Sequence, residues 1–145
     1  MQPDCGEKYL ERAKEDARGI RVMVSSGEEL TNLICYLCQQ CVEKQIKHVI
    51  SLYGDRVPRT YQIGQLIELM MEVAPVDRAP SDAVLDAADL LSSMEAYARY
   101  EGLGSTDHHL YAEAMMGVND IADWLEANGY ESVHVDRRFS RMSAQ

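Results

Sequence analysis

The chain has 145 residues, 46% of them apolar and 26% charged, and a formal net charge of −10. That length predicts one domain with enough core to fold without disulfides or metal, and the composition is that of a globular rather than a disordered chain. No run approaches the roughly 20 apolar residues of a membrane span, and the opening "MQPDCGEKYLERAKED" has no hydrophobic signal core. The four cysteines therefore read as reduced thiols of a cytoplasmic protein. So acidic a surface repels nucleic acid as a whole, and any RNA contact needs a local basic patch.

A first helix is expected from Lys8 to about Val24, with Tyr9, Leu10, Ala13, Ala17 and Ile20 near one face. In "SSGEEL", Ser26 and Glu29 match the capping-box spacing and predict the start of a second helix, about Glu28 to Tyr53, stopped by Gly54. After the loop "GDRVPRT" a short third helix is expected over Gln62 to Val73. Ser81 caps a fourth in which Val84, Leu85, Ala88 and Leu91 share a face. A fifth runs from about Asp107, its N-cap, to Asn128, with Leu110, Tyr111, Ala114, Met115, Val118, Ile121, Ala122 and Leu125 at the helical period. Five amphipathic runs without a convincing strand define an all-α, up-and-down antiparallel bundle of four main helices and a short one, covering residues 1–129. Residues 130–145, with Arg137, Arg138 and Arg141 against Glu131 and Asp136, read as a mobile, slightly basic tail.

The second run contains "CYLCQQCVEKQIK", Cys35 to Lys47. At about 100° per residue, Ile34, Cys38, Cys41, Val42, Val49 and Tyr53 share an arc with Cys35 at its edge, while Gln40, Glu43, Lys44 and Lys47 form a polar stripe opposite. An iron–sulfur run needs a fourth cysteine three residues on, and position 45 is Gln. A zinc site needs a second ligand pair, which Cys5, His48, His108 and His109 do not supply at that spacing. A thioredoxin-like pair opens a helix after a strand, whereas Cys35 lies well inside a helical run. Cysteine is among the most buried residue types, so these thiols read as core, and neither metal nor cofactor is expected.

The polar stripe carries a family resemblance. "CQQCVEKQIKHVI" resembles the second-helix signature of HEPN domains, small helical proteins of bacteria and archaea, whose usual pattern is Q-Q-A-x-E-K-x-x-K-A; Cys41 stands where alanine is common. "YLERAKEDAR" is similar to the family's opening helix, and "MEAYARYEG" to its Y-x-x-R-Y-P segment, with Glu101 in place of the proline. The resemblance spans about residues 7–128. Tyr61 stands where a histidine often opens the third helix.

The catalytic branch of that family carries an arginine followed after four to six residues by a histidine. Metal-independent RNA cleavage needs a proton acceptor near the 2′-OH and a cation near the phosphate, and this pair supplies them. None of the four histidines here, His48, His108, His109 and His134, has an arginine at that spacing, and Arg99 precedes His108 by nine positions. The resemblance then implies the non-catalytic branch: a homodimer that binds nucleotide or RNA, working with a nucleotidyltransferase partner in a toxin–antitoxin-type system. Gln40, Glu43, Lys44, Lys47, Arg99 and Tyr100 are the expected ligand-binding residues, Arg99 as a bidentate phosphate donor between Tyr97 and Tyr100. Against this, the stripe could be a solvated helix face with a Glu43–Lys47 pair, and Arg99 could cover the bundle end. Two other functions stay open: a diverged ribonuclease using Arg99 with His108 or His109, and a ligand-free interaction scaffold.

Overall fold

The computed structural model describes residues 5–54, 56–60, 62–98 and 108–139. Helix α1, Cys5–Ser26, turns Leu10, Ala13, Ala17 and Ile20 inward. It ends where Gly27 adopts φ of 75°, a left-handed conformation that glycine enters without a Cβ clash. The Ser26 hydroxyl donates to Met23 O at 2.7 Å and accepts from the Glu28 amide at 3.2 Å. Ser26 therefore closes α1 instead of capping the next helix. The second helix, α2, begins later than expected, Thr31–Leu52, after Leu30 and without a side-chain cap.

Helix α2 packs against α1, against α3 (Ile63–Val73), α4 (Asp82–Ser92) and α5 (His108–Ala127), and against the 3-10 turn Ser93–Ala98 that prolongs α4. It is the buried centre of the bundle. In α3, Ile63, Leu66, Ile67 and Met70 are buried, and the Ile63 amide donates to Ser92 Oγ at 2.8 Å, so the end of α4 caps α3. Ser81 caps α4 as expected, accepting from the Val84 amide at 3.3 Å. The buried face of α4 is Val84, Ala87, Ala88 and Leu91, whereas Leu85 is exposed. The small Ala87 takes the inner place because α5 comes close: a Cβ on Gly117 would lie 3.2 Å from the Ala87 Cβ. Along α5, Ala114, Met115, Val118, Ile121, Ala122 and Leu125 are buried, as the periodicity predicts.

The chain therefore folds as an all-α bundle, with no strand among the described residues. No helix among them is long and apolar enough to cross a membrane. Residues 130–139 differ from the mobile tail that composition suggests, since Val133 and Val135 join the core and a 3-10 turn closes the segment at Arg137–Phe139. Residues 140–145, including Arg141, lie outside the described part.

Candidate ligand-binding site

Because α2 is enclosed, its polar stripe is not a solvated face. Lys47 is 9% exposed and its neighbour Gln39 is fully buried. Glu43 is the shared acceptor: Oε1 takes Lys47 Nζ at 2.7 Å, and Oε2 takes Gln40 Nε2 at 3.1 Å and Gln39 Nε2 at 3.3 Å. Gln40 Nε2 also donates to Gln39 Oε1 at 2.8 Å. One turn of helix spacing puts residues 39, 43 and 47 in line, which lets one carboxylate serve both neighbours. Burial strengthens such charge-assisted bonds and raises the cost of breaking any of them.

Lys44 does not share this network. It turns to α1 and donates to Asp16 Oδ2 at 2.7 Å, with 21% and 13% of the two side chains exposed. Burial raises the Asp16 carboxyl above its ordinary value of 3.8, and the Lys44 hydrogen bond and charge pull it back only in part. The predicted stripe is thus two units, Gln40–Glu43–Lys47 with Gln39, and Lys44 with Asp16. Asp16 and Gln39 were not among the predicted residues. Their signals were present: Asp16 lies beside the buried Ala13 and Ala17, and Gln39 stands four residues before Glu43.

Arg99 and Tyr100 lie outside the described residues, as does Asp107. His108 and His109 begin α5, but their side chains and that of Tyr97 are likewise outside the description. The segment leading to Arg99 is the 3-10 turn packed on α2, and its Glu95 is buried.

The three cysteines of α2 point into the core, each fully buried. Burial pushes the Cys35 and Cys41 thiols up to about 12, and Cys38 well above its ordinary value. Cys41 Sγ donates to Ala13 O at 3.4 Å, which uses the thiol as a link between α2 and α1. None of the three belongs to the one His/Asp/Glu group spaced closely enough for a cation among the described residues, Asp123, Glu126 and His134.

An all-α bundle whose central helix carries Gln39, Gln40, Glu43 and Lys47 in one hydrogen-bonded network, with Lys44 paired to Asp16, has the architecture and signature anticipated above. The HEPN domain family matches residues 7–128, and the chain belongs to that family. Membership ties it to nucleotide- or RNA-related function. Comparison with curated proteins and with solved structures found no match.

Proposed function

We propose that this HEPN domain is a non-catalytic binding module for a nucleotide or an RNA segment, with the ligand meeting the cluster around Gln40, Glu43, Lys44 and Lys47 and the Arg99–Tyr100 segment. The supporting observation is the hydrogen-bonded network centred on Glu43. A buried ionic network is seldom the most stable filling for a core, so its presence on the central helix favours a role beyond packing. The absence of an arginine–histidine pair at ribonuclease spacing favours binding over cleavage. In this reading the domain works as a homodimer beside a nucleotidyltransferase, in a toxin–antitoxin-type arrangement.

Calorimetric titration of the intact protein with ATP, GTP, NAD and a short mixed RNA tests the reading. Binding by at least one of them, lost in a Lys44→Ala, Arg99→Ala double variant that remains folded, is the expected result. No heat with any of the four would remove it. Light scattering of the free protein checks the dimer, and co-purification with a co-expressed nucleotidyltransferase checks the partner.

A further inference from the structure

Helix α2 leaves very little of itself accessible. From Ile34 to Ile50 only Tyr36, Leu37, Gln40, Glu43 and Lys44 are not buried. Gln40, Glu43 and Lys44 belong to the cluster described above, and Leu37 packs against the apolar core. Tyr36 is the residue left over. It stands one helical turn before Gln40 and two before Lys44, so the three share a face. Its ring neither joins the core nor packs against it, although those of Tyr111 and Tyr130 do. Among the described residues its hydroxyl has no hydrogen-bond partner and its ring no aromatic neighbour. A tyrosine that serves packing rests its ring on apolar neighbours and gives its hydroxyl a partner. Tyr36 does neither, and it stands on the one accessible strip of the helix that carries the cluster.

Resting on the binding function proposed above, we infer that Tyr36 is the stacking platform of this site: a nucleobase lies on its ring while phosphate oxygens of the same ligand reach Lys44. A free nucleotide and an RNA strand both offer that chemistry, because every base has a π-face and stacking on an aromatic ring tolerates any of them.

The hydrogen-bonding capacity left along the strip suits such a ligand. Gln40, between the two ends, spends both N–H groups of its amide, on Gln39 Oε1 at 2.8 Å and on Glu43 Oε2 at 3.1 Å. Its Oε1 takes no bond among the described residues and is free to accept from an N–H on a base edge. Lys44 gives one N–H to Asp16 and keeps two for phosphate oxygens. At the helical rise, the α-carbons of Tyr36 and Lys44 lie about 12 Å apart, and the flexible lysine stem shortens the reach. One nucleotide bridges that span from its base to its outer phosphates.

Calorimetric titration of the full chain with ATP, GTP, NAD, a short mixed RNA and inorganic tripolyphosphate tests this, the last carrying phosphates without a base. Tyr36→Ala should weaken whichever base-bearing probe the wild type binds by about tenfold or more, and the probe affected shows whether a free nucleotide or a strand brings the base. Tyr36→Phe, which keeps the ring, should bind within about twofold of wild type. Tripolyphosphate should bind wild type and Tyr36→Ala alike. Should Tyr36→Ala not fold, Tyr36→Leu, which keeps bulk without a π-face, takes its place. Equal affinity of wild type and Tyr36→Ala for the bound probe overturns the platform and leaves the binding function standing. So does an equal loss in Tyr36→Phe, or a parallel loss for tripolyphosphate. If the wild type binds none of the base-bearing probes, the binding function fails and the platform with it.

Discussion

Lys44 on α2 and Asp16 on α1 meet at 2.7 Å across the interface of the bundle's two longest helices. This contact takes Lys44 out of the stripe that its sequence spacing implies, and it leaves α1 holding a carboxylate away from bulk water. Removing the lysine alone strands that carboxylate. Lys44→Ala should lower stability by about 2 kcal/mol, less than the roughly 3–5 kcal/mol for breaking a fully buried pair because both side chains keep some contact with water. Adding Asp16→Asn should restore most of the loss, as urea unfolding of the single and double variants will show.

The same pair has a signature in acid. A carboxyl whose folded pKa is raised binds its proton more tightly in the native state. Its stabilising contribution is complete below the ordinary 3.8 and is lost as pH rises through the raised folded value. Asp136 works the other way: its hydrogen bond with Arg138 lowers its pKa, so its contribution is lost as pH falls through that lowered value. Urea midpoints measured across the acid range in wild type and in Asp16→Asn isolate the first effect. The variant should lack the component that rises with acid, and identical slopes would contradict the burial of Asp16.

Within the polar network, Glu43 and Gln40 should behave very differently. Glu43→Ala leaves Lys47 and Gln39, both nearly inaccessible, without their shared acceptor, and should cost about 3 kcal/mol. Gln40→Ala removes only donors and should cost about 1 kcal/mol. Chemical unfolding of the two variants compares them, and a smaller loss for Glu43→Ala would show the network to be peripheral to the fold.

The thiols offer a test of the core. In a Cys5→Ser background, Cys35, Cys38 and Cys41 should resist an aromatic disulfide reagent at neutral pH, because burial holds them as thiols with Cys35 and Cys41 near 12. All three should react once the protein is unfolded. Rapid reaction of the native protein would place at least one of them at the surface.

Gly129 sits past the end of α5 with φ of 87° and turns the chain toward residues 130–139. Gly129→Ala should cost about 1 kcal/mol through backbone strain alone, since no atom lies within 4 Å of the added Cβ. Thermal unfolding measures it. Gly64, with equally open space and no positive φ, is the control and should tolerate alanine.

Helical period alone located α1 through α5 to within a few residues, because the apolar spacing of Leu10, Ala13, Ala17 and Ile20, or of Ala114, Val118, Ile121 and Leu125, encodes one buried face. It also sent Cys38 and Cys41 inward and carried the family signature. What it could not decide was the environment of the second face of α2. A helical wheel assumes one wet side, and only the packing of α1, α3, α4, α5 and the 3-10 turn around α2 removes it, burying Gln39 and Lys47 and drawing Lys44 to Asp16. Ser26 was misread for a local reason: the left-handed Gly27 ends α1 there and occupies the hydroxyl. The docking of residues 130–139 was illegible because the side chains that hold their backbone, Gln45 and Asn119, lie far from Val133 or Val135 in sequence or on another element, and no periodicity reports a side chain bonded to a distant backbone. Local sequence thus determined the helices and their apolar faces, while tertiary enclosure decided which polar side chains lost their water and therefore had to find one another.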